Sequence, residues 1–431
     1  MLTTFVGNFY PALVALITGP ILAHALGVFG RGQVAAGQAP LVLASTIASF
    51  GIPEAVTFAV ASSPALARAA AARSSALMAA AGAAAMAAIY FASDWLSGGD
   101  PSTQHLILVS SLALIPTLLV GVLRGIASAA QEWRRVAAER MLAATMRLAV
   151  ILVLWAAGAL TPLAASIVLA SMPLVGALAY IRLPALRRSV ATSTVDKSPV
   201  GLIALSNFGG RLWLGSISGI VLSRIDQVLM TGLSSAYALG LYVVAVTVSE
   251  LPLMINSAVR DVTYATDAAR PAEDRLLTSA RVSFLVCALI AAVIGATMWW
   301  WIPWLFGADF AASVPVAAIL LVAVVIGTPG SVAGAGLSAR GRPGLRSAGL
   351  IVAGLVNVAI LVVTLPTLGA IGAALATLVG NLIASNFNIL AMKRYAGTPV
   401  AAFYLVRAAD VRILRDFVRR ILRIPRRRGE P

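Results

Sequence analysis

Residues 74–92 read SSALMAAAGAAAMAAIYFA, nineteen uncharged residues with no alternation of apolar and polar positions. Strands of a transmembrane barrel alternate over about ten residues. This run therefore reads as a helix, long enough to cross the roughly 30 Å hydrocarbon core of a bilayer. Similar runs recur on both sides of it. The apolar pattern predicts helices at 3–26, 36–61, 74–93, 104–128, 138–159, 162–182, 204–232, 236–259, 280–303, 312–336, 345–366 and 369–392. Composition agrees. Of 431 residues, 60% are hydrophobic before the 36 glycines are counted, and only 11% are charged, against about 25% charged in water-soluble domains. A soluble fold of this length cannot bury so much apolar surface. The short connections leave no room for a soluble catalytic domain.

The net charge is +16, from 32 Lys+Arg against 16 Asp+Glu. In so apolar a chain this excess points to cytoplasmic connections and away from nucleic acid. If every span crosses, 28 of the 32 cations fall on one side, including Lys393, Arg394 and nine arginines beyond them. The other side keeps Arg31 alone, beside Asp94, Asp100 and Asp309. This asymmetry predicts a multi-pass protein of the cytoplasmic membrane with both termini cytoplasmic. The first apolar run lacks a basic leader and a small-residue cleavage site, so it is expected as a retained span.

The basic connection near residue 190 divides the chain into halves of six spans. An offset of about 210 residues aligns them loosely: LGVFGRGQVAAG at 26–37 falls near LSSAYALGLYVVA at 233–245, and LTPLAAS at 160–166 near LGAIGAA at 368–374. An even number of spans per repeat makes both halves run the same way, around an axis along the membrane normal. The expected organisation is an N-lobe at 1–190, a cytoplasmic connection at 191–203, a C-lobe at 204–393 and a basic amphipathic tail at 394–431. In the tail Val406, Ile413, Leu414, Phe417, Val418, Ile421 and Leu422 recur at helical spacing among arginines. That pattern suits the anionic inner leaflet, with docking of a partner protein as the alternative.

No P-loop, H-E-x-x-H or G-x-S-x-G occurs, so no nucleotide, zinc or serine-nucleophile chemistry is indicated. His24 and His105 are the only histidines and Cys287 the only cysteine. No metal site, disulfide, cofactor or catalytic residue is expected. Transport energy must then come from an ion gradient, the membrane potential or consumption of product.

Ionisable groups within spans are expensive and usually face a cleft or a partner. Arg147 in span 5 and Arg211 and Arg224 in span 7 are candidate contacts for an anionic head group, with Arg31 near the outer mouth as a fourth. Arginine's forked guanidinium suits phosphate. Glu54, Asp226, Glu250 and His24 are candidate ion-coupling or gating groups. Internal pairing of the same charges is an equally weighted alternative for any single residue. Gly215-Ser-Ile-Ser-Gly219 and Gly330-Ser-Val-Ala-Gly334 read as close helix packing. Trp299, Trp300, Trp301 and Trp304 read as an interfacial belt.

Several stretches carry a resemblance over nearly the whole chain. They are ILAHALGVFGRGQ, FGIPEAVTFAVA, SRIDQVLMTGLSSAYALGLYVVAVTVSELP, LFGADFAASVPVAAILL, SARGRPG and LPTLGAIGAALATLVGN. In order and spacing they resemble the Wzx-type flippases of the multidrug/oligosaccharidyl-lipid/polysaccharide (MOP) exporter superfamily, with His24 where that family usually has Arg. The resemblance implies an all-α, V-shaped bundle of about 12 transmembrane helices in two lobes, like that of the multidrug (MATE) branch. It implies export of a polyprenyl-diphosphate-linked glycan. Membrane lipids, and glycosyltransferases or a polymerase at the C-terminal tail, are the partners it suggests. The alternative is a cation-coupled drug or metabolite antiporter of the same superfamily. That reading lacks the functional acid such exporters often carry in span 1, where this chain has Asn8. A membrane glycosyltransferase or polymerase is disfavoured by the short outer loops.

Overall fold

The computed structural model describes residues 2–64, 67–181, 183, 219, 222–412 and 414–415, with side chains from Tyr10 onward. Among the described residues there is no strand. The helices are α1 (Leu2–Ala48), α2 (Ile52–Ser62), α3 (Ala67–Leu96), α4 (Pro101–Ser111), α5 (Leu114–Ala129), α6 (Trp133–Ala156), α7 (Pro162–Gly176), α8 (222–233), α9 (Ala236–Ala269), α10 (Glu273–Phe306), α11 (Ser313–Ala339) and α12 (Pro343–Ala396). Among the described residues, eight segments are long and apolar enough to cross a membrane. The chain is a polytopic all-α membrane protein.

One of these segments, α12, holds two expected spans, and α1 holds the first expected span and the start of the second. Gly27 in α1 has φ 66° and Gly369 in α12 has φ 52°. This left-handed conformation, open to glycine without a Cβ penalty, ends one helical stretch and starts another. Both breaks reverse the chain. Arg31 lines the same cavity as Ala12 and Ala15, although a straight helix would hold it roughly 24–28 Å from them. A Cβ on Gly372 would lie 2.7 Å from the Thr364 carbonyl oxygen, eight residues back. The second expected span is itself interrupted where Phe50 (φ 44°) and Gly51 (φ 65°) follow each other, before Pro53 opens α2.

The helices alternate between an acidic end, with the connections around Gly27, Asp94–Asp100, Ser234–Ser235, Asp309 and Gly369, and a basic end. At the acidic end, Asp100 caps α4 by accepting from the Ser102 and Thr103 amides and holds Gln33 Nε2 at 3.2 Å. Bonds from the Thr103 and Ser102 side chains and from Gln33 keep this carboxyl well below the usual carboxylate range.

The halves meet at the acidic end through bare backbone. A Cβ on Gly32 would sit 1.7 Å from the Ala236 carbonyl oxygen, and one on Gly240 would sit 2.0 Å from that of Val28. The contact is reciprocal, because Val28 and Ala236, like Gly32 and Gly240, are 208 positions apart. Alongside, Gly98 abuts the Thr231 carbonyl and Gly232 that of Trp95. One apolar core joins Ala23, Val28, Ala35 and Ala36 of α1 to Leu239, Tyr242 and Val243 of α9. A second core, around Ile52, Met78, Leu114 and Ile126, belongs to the first half alone.

Within the second half α11 packs tightly on α12. Gly330 donates its amide to Ser385 Oγ at 3.1 Å and accepts from Asn388 Nδ2 at 3.1 Å, so Gly330–Gly334 is a packing motif as expected. Gly215 and the start of span 7 lie outside the described residues. Trp299, Trp300 and Trp304 are exposed at the end of α10.

The tail departs from expectation in its first part. Phe403 is fully buried. Arg281 Nε meets Asp410 Oδ2 at 2.7 Å, and its Nη1 donates to the Ala402 carbonyl at 3.1 Å. Arg281 and residues of the segment 397–412 are latched together. The sequence pattern could not show an ion pair between positions so far apart. The remainder of the amphipathic tail, residues 416–431, and the connection 191–203 lie outside the described residues.

This packing sets two expected outcomes. Gly240→Ala lowers the thermal unfolding midpoint in detergent by the equivalent of about 1–3 kcal/mol, the usual range for overpacking. Gly295→Ala, with nothing within 4 Å of the new Cβ, does not lower it. Asp410→Ala strands the buried Arg281 guanidinium, costing about 3–5 kcal/mol, and exposes 397–412 to limited proteolysis. The Arg281 hydrogen bond holds the Asp410 carboxyl below the usual range. The latch is therefore fully present above about pH 4 and weakens only as pH falls through that lowered value.

Candidate functional site

Beneath the crossing, toward the basic end, a cavity of about 160 Å³ separates the halves. From the first half it is lined by Ala12, Ala15, Thr18, Arg31, Arg147 and Leu169, and from the second by Thr247, Glu250, Leu251 and Met254. The break at Gly27 turns the chain so that both strokes of α1 border it. Arg147 arrives from α6.

The electrostatics are unusual. Nε of Arg31 and Nε of Arg147 are both buried without a hydrogen-bond partner among the described residues. Arg147 Nη2 donates to the Pro11 carbonyl at 3.3 Å, which steadies the side chain without neutralising it. Glu250 is the acid on the cavity wall, and it lies 3.5 Å from Arg224 Nη2. Counting that pair as neutral leaves two formal positive charges on the lining. A buried charge is costly unless paired, so the arrangement favours entry of an anion.

The other sequence candidates divide plainly. Arg31, four residues past the Gly27 turn at the acidic end, lines the cavity with Arg147. Arg211 lies outside the described residues. Arg224 and Glu250 form a half-exposed pair at the cavity. Asp226 is buried in the second half, where it accepts from the Tyr242 hydroxyl and from the Gln227 amide at 2.7 Å; Tyr242 Oη also lies 3.2 Å from Thr377 Oγ1. Asp226 is not on the cavity wall. His24 is exposed at the acidic end beside Gly307. Glu54 sits near the basic end in a separate pocket of the first half.

Three buried pairs went unread in the sequence. Glu139 accepts from Arg124 Nε at 2.9 Å and Nη2 at 2.6 Å and from the Tyr180 hydroxyl at 2.9 Å. Asp267 pairs with Arg340 at 2.7 Å, and Asp410 with Arg281 as above. Only the Arg124–Glu139 separation of fifteen residues, across one short turn, left a trace that could have been noticed. No group of three or more His, Cys, Asp or Glu suited to a metal occurs among the described residues.

Removing the Glu139 carboxylate tests whether this network is structural. Glu139→Ala leaves Arg124 without its bidentate partner and lowers stability by about 3 kcal/mol, the lower end for a broken buried pair because Arg124 is partly exposed; thermal unfolding in detergent reads the change.

Solved structures similar to this one are transporters. An inward-facing multidrug resistance MATE family transporter of the MOP superfamily is 15% identical, with 93% of this chain and 98% of that one covered at a TM-score of 0.71. The lipid II flippase MurJ, in an inward closed conformation, is 13% identical, covering 98% and 93% at a TM-score of 0.71. A MOP superfamily transporter from Pyrococcus furiosus, described as having a binding pocket of reversed polarity, is 16% identical, covering 93% and 94% at 0.57. No curated protein sequence matches the chain. A family model described as polysaccharide biosynthesis protein matches residues 1–264. The chain, with the MOP transporter fold and this match over more than half its length, belongs to the polysaccharide biosynthesis protein family.

Proposed function

We propose that the protein is a flippase that moves a polyprenyl-diphosphate-linked oligosaccharide across the cytoplasmic membrane by alternating access. The observation that carries this reading is the pair Arg31 and Arg147, two guanidinium groups with unsatisfied buried nitrogens on a cavity between the halves. A diphosphate is the ligand such a pair recognises best, since its oxygens match the forked donors. The polyprenyl chain stays in lipid through a gap between helices. Arg211 is assigned to the same head group from its place in span 7. Arg224 is assigned to the head group, and Glu250, which lies 3.5 Å from it on the cavity wall, to gating. Asp226, Glu54 and His24 remain the ion-coupling candidates of the proposal.

The direction of transport has a sufficient drive. Moving one charge through 100 mV is worth about 2.3 kcal/mol. A head group with two negative charges leaving a negative-inside cell gains about 4–5 kcal/mol per 100 mV. Glycosyltransferases that build the glycan, and a polymerase that consumes it, are the partners this role calls for.

Binding of inorganic pyrophosphate to the purified protein tests the site directly. Arg147→Ala and Arg31→Ala are each expected to weaken it by about 10- to 100-fold, the worth of a charge-assisted hydrogen bond, while leaving thermal stability unchanged or higher. Arg147→Lys, which keeps the charge and loses the fork, falls between. Export of the surface glycan should fail in Arg147→Ala and Arg211→Ala cells. Unaltered pyrophosphate affinity in both cavity variants would sink the assignment.

A further inference from the structure

A second pocket, of about 520 Å³, lies in the first half toward the basic end, between the end of α1, α2, α5 and the start of α6. Six residues of its lining, Ser45, Thr46, Ser49, Thr57, Thr117 and Ser128, carry hydroxyls. Ser45 Oγ and Thr46 Oγ1 donate to the Val42 carbonyl at 2.9 and 3.0 Å, and Ser49 Oγ donates to that of Thr46 at 2.8 Å. Thr57 Oγ1 lies 2.8 Å from the Pro53 carbonyl and 3.0 Å from that of Gly125. Each has spent its proton on the backbone and presents lone pairs only. Thr117 Oγ1 is buried with no partner among the described residues. The Glu54 carboxylate and the side chains of Arg124 and Arg140 complete the polar lining.

The described lining carries both signs: Glu54, Arg140, and Arg124 held by Glu139 behind it. The pocket therefore differs in kind from the Arg31–Arg147 cavity, which is lined by two arginines without acid partners among the described residues. A wall of mixed sign with several hydroxyl acceptors suits a ligand that is itself neutral and carries many hydroxyls. The backbone beside it is strained as well. Phe50, a non-glycine residue, holds φ 44°, a conformation that persists where surrounding structure demands it, often at ligand sites.

The geometry points to this pocket as a subsite for neutral carbohydrate. The inference rests on the flippase reading and extends it: sugars of the substrate occupy the pocket while its diphosphate is held at Arg31 and Arg147. Thr46 lies fifteen residues from Arg31 on the same helical stretch of α1, about 22 Å along its axis. That reach suits an oligosaccharide better than a single sugar ring.

The native chain makes a direct test simple, because its one cysteine, Cys287, is buried. In full-length Ser49→Cys protein, the rate of maleimide labelling reports occupancy of the pocket. The probes are the neutral oligosaccharide released by mild acid from the lipid-linked pool of the producing cells, and inorganic pyrophosphate. The oligosaccharide is expected to slow labelling, and pyrophosphate is not. Adding Thr117→Val should weaken the protection by about fivefold, the loss of one hydrogen bond, with pyrophosphate binding elsewhere intact as evidence of folding. Protection by pyrophosphate alone would make this an anion site and overturn the proposal. So would absence of protection by either probe, or full protection in the Thr117→Val background. The flippase reading fails separately: sugar protection in a protein whose Arg147→Ala form exports normally would leave the pocket standing and remove the head-group site.

Discussion

The crossing of α1 and α9 at Gly32 and Gly240 is the contact on which the rest of the architecture depends. Two helices approach until hydrogen-only residues of one meet carbonyl oxygens of the other. Such an approach brings backbone dispersion and Cα–H···O contacts into play, the forces available where lipid removes the hydrophobic drive for association. The reciprocity of Val28 with Gly240 and Gly32 with Ala236 makes it a local two-fold contact within one chain. A reciprocal contact of this kind can hold two halves together at one end while their other ends diverge.

The cavity is a consequence. With the halves joined at the acidic end, the crossing stretch of α1 itself carries Arg31 to the edge of the space between them, and the opening stretch of α1 runs alongside. Three other arginines find an acid: Arg124 takes Glu139, Arg340 takes Asp267 and Arg281 takes Asp410. Arg31 and Arg147 find none among the described residues, and the positive potential stays concentrated where the halves separate. This imbalance also lacks a counterpart in the second half, whose cavity wall is Thr247, Glu250, Leu251 and Met254. The backbone contact is two-fold and the chemistry is one-sided.

The two pockets differ in their polar groups. Guanidinium nitrogens without partners among the described residues line one, while the other carries hydroxyls, most of them bonded to backbone carbonyls, beside side chains of both signs. A substrate that joins a charged linkage to a neutral polyol would meet each part of this surface with the matching part of itself. The pockets share the second stroke of α1, so a displacement of that helix would alter both together.

Much was legible in the sequence because lipid imposes a coarse rule. Uncharged runs about twenty residues long must be helices, and the segregation of arginines set the alternation of their ends. The loose offset near 210 also had content, since it brought LGVFGRGQ and SSAYALGLY together, the two stretches that cross. What stayed illegible depended on single dihedral angles and distant partners. A reversal after span 1 was expected from the apolar pattern, but no periodicity reveals that Gly27 makes it at φ 66° or that Arg31 beyond it lines a cavity with Arg147. Nor does it show that Asp226 is absorbed by Tyr242, that Glu54 belongs to another pocket, or that Asp410 seizes Arg281. The amino-acid sequence alone determined the class, the helices and the sided charge, because those follow from transfer of side chains between water and lipid. The tertiary structure decided which charges are paired and which are left open, because pairing depends on ångström distances between residues that the chain order keeps far apart.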